Sequence, residues 1–148
     1  MIIGDKMSIV GNYNLKVSKN GKIQIPKKLQ SEFGDRVILA IDFDTKCIAV
    51  FPLNKWEEYK KTITKSNLDK NLMLAFENML SSAKLVQVNE FGELLIAEDF
   101  LKLAEITETC WLLGMNNCFE LWNKEKFDKY MAGLNDETIE DELRKLGF

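Results

Sequence analysis

Apolar and polar residues alternate along Leu15-Lys16-Val17-Ser18, break at Asn20-Gly21, and alternate again along Lys22-Ile23-Gln24-Ile25. Alternation of period two marks half-buried strands, and Asn-Gly between two of them predicts a tight reversal with Gly21 at positive φ. Pro26 ends the second strand and suits the first turn of a short helix over Lys27–Phe33. Leu29 and Phe33, four apart, form its inner face, and Gly34 is its stop. Two strand-like runs come next, Val37–Ile41 and Cys47–Phe51, joined by Asp42–Thr45. A helix carrying Trp56 and Tyr59 closes the set, with Asn54 as its expected N-cap. Upstream, Ile9–Tyr13 starts a first strand; the first six residues read as a leader extension, with Met7 as an alternative start.

The same succession returns 71 positions later. Val17, Gly21, Ile25, Cys47, Lys55 and Tyr59 fall on Val88, Gly92, Ile96, Cys118, Lys126 and Tyr130, so residues 17–59 and 88–130 read as one unit written twice without a gap. Ile23 with Leu94, Leu29 with Phe100, Val50 with Leu121 and Phe51 with Trp122 keep the apolar register between these identities. The second copy predicts a helix over Ala97–Ala104, strands Cys110–Leu113 and Phe119–Trp122, and a closing helix with Phe127 and Tyr130, capped by Asn123. Two copies of one supersecondary unit predict a pseudo-twofold fold rather than two independent domains. Between them, Leu72, Ala75, Phe76, Met79 and Leu80 form a helical apolar stripe. After them, Ile139, Leu143 and Leu146 line one face of an amphipathic terminal helix, which either folds back on its own domain or packs on a neighbouring subunit.

Composition sets bounds on this picture. The 148 residues fit one domain with a real core, and 46% hydrophobic with 29% charged residues is ordinary for a soluble globular chain. No apolar run approaches the roughly 18 residues of a membrane span, and the N-terminus lacks a signal-peptide core, so a cytosolic protein without a membrane partner is expected. The chain has no histidine, which removes Ser-His-Asp and Cys-His catalysis and most zinc sites. Its acidic residues fall mostly in helix first turns or on polar faces, so no enzyme, metal, cofactor or small-molecule substrate is expected. Cys47 and Cys118 match between the copies and read as reduced core residues. Trp56, Tyr59, Trp111, Trp122, Phe127 and Tyr130 fall at inward helix or strand positions, which favours packing over a base-stacking platform.

Charge does not repeat with the fold. Residues 16–36 carry six basic groups against Glu32 and Asp35, net +4, while residues 87–107 carry five acidic groups against Lys102, net −4. With a whole-chain charge of −3, any polyanion contact must come from the local cluster Lys16, Lys19, Lys22, Lys27 and Lys28. Lys16, Lys22 and the turn are expected to share a face, with Lys27 and Lys28 at a helix start that also presents backbone N–H groups. The same lysines also fit a solubilising guard on an exposed hairpin.

These residues resemble the MraZ family, regulators built from two tandem SpoVT/AbrB-type units. The likeness covers essentially residues 9–131 and rests on an ordered series of short motifs: Gly11-Asn12-Tyr13, Gly21-Lys22-Ile23-Gln24-Ile25-Pro26, Phe51-Pro52-Leu53 with Trp56, Leu80-Ser81-Ser82-Ala83 and Glu120-Leu121-Trp122. The family's turn begins with Asp and ends with Arg, and its Arg-bearing turns are implicated in DNA contact. Here the Asp is Ser18 and Asn89, and the Arg is Lys22 and Glu93. Lys22 keeps the charge without the bidentate fork, and Glu93 reverses it. The resemblance implies an α+β fold in which two SpoVT/AbrB-like units (7–60 and 85–131) form one pseudo-twofold, β-barrel-like core. A connecting helical region (61–84) and a C-terminal helix (132–148) flank it. It further implies a closed homo-oligomeric ring in the cytoplasm, associated with the nucleoid. The expected partner is double-stranded DNA at promoter repeats of division and cell-wall genes, contacted through Lys16, Lys19, Asn20, Gly21, Lys22, Lys27 and Lys28. The rival reading is a divergent oligomeric scaffold that has lost DNA binding and meets proteins through its acidic second copy.

Overall fold

A computed structural model describes residues 11–65, 70–115 and 118–133. The expected start of the first strand at Ile9 and the terminal helix around Ile139–Leu146 lie outside these residues. The chain runs β1 (Asn12–Lys16), β2 (Lys22–Gln24), a 3-10 turn (Lys27–Leu29), α1 (Gln30–Phe33), β3 (Arg36–Ile41), β4 (Ile48–Pro52), α2 (Leu53–Lys65) and α3 (Lys70–Ser82). It continues β5 (Lys84–Gln87), β6 (Glu93–Leu95), α4 (Glu98–Leu103), β7 (Thr109–Gly114), β8 (Phe119–Trp122) and α5 (Lys124–Gly133).

Six strands form one antiparallel sheet in the order β1-β7-β8-β4-β3-β5, and β2 with β6 forms a separate two-stranded ribbon. The expected barrel-like core is corrected by this arrangement. Among the described residues the sheet stays open, with β1 and β5 as its edges, and the ribbon covers one face instead of closing a cylinder. The expected local hairpin is corrected too. After its first rung, with Ser18 N–H donating to Lys22 C=O at 2.9 Å, the first copy's strands part. β1 leaves to pair with β7 of the second copy, and β2 pairs with β6. The reason is burial. Ile23 and Leu94 sit opposite each other, both almost fully buried, and a ribbon made by both copies caps the core in a way that a hairpin within one copy does not.

The pseudo-twofold axis is visible in the register. It passes through the Ile23–Leu94 pair of the ribbon and the Ala49–Glu120 pair of the sheet, each a residue facing its own counterpart. The gap-free offset of 71 needs one amendment. Val17 N–H bonds Glu108 C=O and Val88 N–H bonds Asp35 C=O, so β3 and β7 correspond at an offset of 73, matching Leu39 with Leu112. The β3–β4 loop spans Asp42–Cys47, whereas the β7–β8 loop spans only 115–118, which restores 71 at β4 and β8.

The main core lies between ribbon and sheet. Ile23, Ile25, Leu94 and Ile96 from the ribbon side meet Val37, Leu39, Ile48, Val50, Leu112 and Leu121 from the sheet, with Leu29, Phe33 and Phe100 filling the ends. Each such side chain contributes roughly 1.5–3 kcal/mol when removed from water. On the sheet's other face, α2 and α3 cover one half through Trp56, Tyr59 and Met79 packed on Ile38 and Phe51. There α5 covers the other half through Phe127 on Trp122. Trp56 and Trp122 are buried, Tyr59, Trp111 and Phe127 are half-buried against them, and Tyr130 lies at the exposed margin, so the aromatics serve packing, as the sequence predicts. Asn123 caps α5 as expected, its Oδ1 accepting from Lys126 N–H at 3.1 Å. Asn54 does not cap α2. Pro52 passes straight from β4 into the helix, which starts at Leu53, and Asn54 bonds only the next N–H.

Candidate nucleic-acid interface

The ribbon builds the site. Gly21 N–H donates to Ser18 C=O at 2.9 Å, and Gly21 sits at φ +85°, the left-handed position of a turn that leads into a bulge. Ser18 Oγ accepts from Lys22 N–H at 3.0 Å, so the residue replacing the family's Asp still pins the turn. Asn89 does this more fully in the second copy: its Oδ1 accepts from Phe91 and Glu93 N–H, both at 2.9 Å, and its Nδ2 donates to Glu93 Oε1 at 2.9 Å. Gly92 repeats the geometry at φ +76°.

The turns are stitched across the axis. Ile96 N–H donates to Gly21 C=O and Ile25 N–H to Gly92 C=O. A short antiparallel ribbon thus carries the Ser18–Gly21 turn at one end and the Asn89–Gly92 turn at the other. Alternation turns Lys22, Gln24, Glu93 and Leu95 outward and Ile23 and Leu94 inward. Gln24 Nε2 reaches across to Phe91 C=O at 2.8 Å, fixing the second turn to the first copy's strand.

The same crossing redistributes charge. Having run the length of the ribbon, the first copy delivers its 3-10 turn, with Lys27 and Lys28, beside the second copy's turn; the Gln30 amide lies over Gly92 and bonds Ile25 C=O at 3.1 Å. By symmetry α4 adjoins the first turn, with Leu101 near Gly21. The sequence separates +4 from −4, but the fold interleaves them. The acidic groups of the second copy near the first turn are largely neutralised: Glu98 pairs with Lys102 at 3.2 Å and Asp99 with Lys84 at 3.3 Å. Farther along, Lys126 binds Glu105 at 2.8 Å and holds its carboxyl below the usual range.

The predicted site residues are therefore brought together in part. Lys19, Asn20, Gly21 and Lys22 form one end of the ribbon, and Lys27 and Lys28 stand at the other. Lys16 departs from the expected shared face. It alternates with Tyr13 and Leu15, which pack on the core from the sheet, so it points away from the sheet layer while Lys22 points away from the ribbon layer. All of these lysines are exposed, and Gly21 is buried. Sequence reasoning missed Gln24 and Gln30 as the clamps of the second turn, and Phe91 as its exposed tip. The signal that could have found them was the alignment of Phe91 with Asn20 and of Gln30 with Leu101.

Among the described residues no cluster of metal-ligating side chains occurs, and no helix is long and apolar enough to cross a membrane. The three cysteines are free thiols; burial pushes Cys110 and Cys118 up to about 12 and Cys47 higher still, far from reactive thiolates.

Comparison with known proteins agrees with the resemblance seen in the sequence. A family model described as "MraZ protein, putative antitoxin-like" matches residues 79–147, which hold the second copy and the C-terminal segment. Full-length relatives extend the likeness through the first copy. The chain is 29% identical over 142 residues to "Transcriptional regulator MraZ" of Clostridium tetani, covering 93% of this chain and 98% of that protein. It is 24% identical over 144 residues to the protein of the same name from Treponema denticola, covering 95% and 100%. The counterpart in Clostridium acetobutylicum is 29% identical over 140 residues. At this low identity, the chain is similar to MraZ regulators from end to end, across both copies.

Proposed function

We propose that the chain is a transcriptional regulator that binds double-stranded DNA through the outer face of the β2–β6 ribbon. One observation carries this reading: Lys19, Lys22, Lys27 and Lys28, on or beside the ribbon, have no ion-pair partner among the described residues, while Glu98, Asp99 and Glu105 are each matched by a cation. Four exposed cations without internal partners are left for an external anion. Lys22 and Lys27 are five residues apart on a nearly extended strand, roughly 15 Å, which is comparable with the ~12 Å width of the major groove. The two ends of the ribbon thus straddle a groove, with Lys19 and Lys22 on one phosphate strand and Lys27 and Lys28 on the other. Regulation rather than catalysis also accords with the names of the relatives, each a transcriptional regulator. Promoter repeats near division and cell-wall genes are the proposed targets, and the nucleoid the proposed location.

Homo-oligomerisation, as a closed ring, multiplies this small contact. Its supporting feature lies on the opposite layer, where Phe43, Tyr59, Leu74, Phe76 and Met79 line an open groove of about 550 Å³. Leu74 is 52% exposed there. A head-to-tail contact through such a groove closes or grows into a filament, and closure gives a discrete particle. Several weak ribbons on one particle then bind repeated sites by avidity.

A gel-shift titration with the DNA immediately upstream of this chain's coding sequence tests the reading. Affinity should fall with salt at a log–log slope of about −0.9 per phosphate contact. Lys22→Glu should weaken binding at least about tenfold, roughly 1.4 kcal/mol per contact. Equal binding by parent and Lys22→Glu, or no binding by the parent at low salt, would remove this function.

A further inference from the structure

The second turn carries an aromatic side chain where the first carries Asn20. Phe91 is 69% exposed, more than any other large apolar side chain among the described residues. It is not loosely held. Its N–H donates to Asn89 Oδ1 at 2.9 Å, and its C=O accepts from Gln24 Nε2 at 2.8 Å. An apolar ring presented on a backbone fixed at both of its polar groups is built for contact. Three features define that contact. Glu90 and Glu93 lie within two residues of Phe91 in the same turn and pair with no cation among the described residues, so this tip is disfavoured on a phosphate. Lys27 and Lys28, delivered beside the same turn by the 3-10 turn that precedes α1, have no anionic partner among the described residues. The tip therefore sits between cations that seek phosphates and carboxylates that avoid them.

We infer that Phe91 is a base-reading residue: with Lys27 and Lys28 on the phosphates, the second turn enters the major groove and packs Phe91 on the C5-methyl of thymine. This rests on the DNA-binding reading and assigns the second copy a part in it. A thymine methyl is the apolar group the major groove offers, and Phe is a side chain that meets it. The carboxylates suit the same position, because base edges, unlike phosphates, carry donors such as the cytosine amino group. Labour is then divided between the copies: the first supplies phosphate neutralisation, which is blind to sequence, and the second supplies discrimination. A protein partner for Phe91 would instead need a basic surface to match Glu90 and Glu93, and Lys27 and Lys28 beside them would oppose it.

The test uses the full chain and the upstream DNA fragment prepared with either thymine or uracil, which differ only by that methyl. The parent should bind the uracil fragment about fourfold more weakly, the effect of one buried methyl group. Phe91→Ala, at an exposed position that leaves the core intact, should bind both fragments equally, with an unchanged salt slope. Lys27→Ala with Lys28→Ala should keep the thymine preference and flatten the slope by about 1.8, two phosphate contacts' worth. A parent that binds both fragments alike, or a Phe91→Ala variant that keeps the preference, overturns the inference while leaving DNA binding itself intact and Phe91 as a protein-facing surface. A parent that binds neither fragment overturns both.

Discussion

Two glycines in equivalent turns have unequal surroundings. A Cβ at Gly21 would stand 2.7 Å from the carbonyl oxygen of Ile96, a backbone atom held in the ribbon. At Gly92 the obstacle is the Gln30 side-chain amide, which can swing into solvent. Both positions also carry the strain of positive φ. Gly21→Ala should therefore cost more than about 1 kcal/mol and exceed Gly92→Ala, as read from denaturant midpoints. Glu120 offers a second residue-scale prediction. Burial raises its carboxyl pKa despite the hydrogen bond from Trp122 Nε1 at 3.0 Å, and the neighbouring Asp42 raises it further. A carboxyl whose folded pKa is raised binds its proton more tightly in the native state, so its stabilising share is full below the unfolded value and is lost as pH rises through the folded one. Glu120→Gln should accordingly melt higher than the parent at pH 7. The two melting temperatures should converge as pH falls toward the ordinary Glu value of about 4.3.

At the scale of elements, alternation and periodicity located the strands and helices of both copies well. The signals are local: side chains two apart share a strand face, and Gly or Pro at an end removes the alternatives. Caps were only half legible. Asn123 and Asn54 look alike in sequence, yet Asn123 accepts from Lys126 N–H, whereas Asn54 sits inside the first turn of α2. Asn123→Ala should cost about 1 kcal/mol and Asn54→Ala almost nothing, again by denaturation. What alternation could not indicate was which strand each would pair with. Leu15 and Ile23 read as neighbours in one hairpin, but Leu15 pairs with Cys110 and Ile23 with Leu94. The period of two records that one face is buried and carries no information about the partner that buries it.

For the whole molecule, the exchange of strands makes both copies necessary to either half of the sheet, and it leaves the helical layer free on the far side from the ribbon. If that layer carries the assembly contact, light scattering at micromolar concentration should give a discrete species well above the 17.1 kDa of one chain. Leu74→Glu, in the exposed groove wall, should reduce it toward the single-chain mass, and a strict monomer in the parent would dispose of the ring. The candidate interface shows the same division between near and far. The lysines were legible as a cluster because lack of compensation along a short stretch is visible in one dimension. Their placement was not: Lys27 and Lys28 end up beside the acidic turn, and Lys16 leaves in another layer.

By itself, the sequence determined the elements, the duplication, the inward aromatics, the inert cysteines and the positive-φ turns, because each depends on residues within a few positions or on a repeated pattern. Only the tertiary structure decided that the sheet stays open and that the ribbon is shared. It alone brought a basic and an acidic segment, 71 positions apart, to opposite ends and adjoining edges of a single surface. Those outcomes depend on long-range pairing, which is selected by burying Ile23 on Leu94 and Leu39 beside Val50 and by the hydrogen bonds made with them. A pseudo-twofold axis turns one copy's start toward the other copy's end, and no local stretch of the chain carries a record of that rotation.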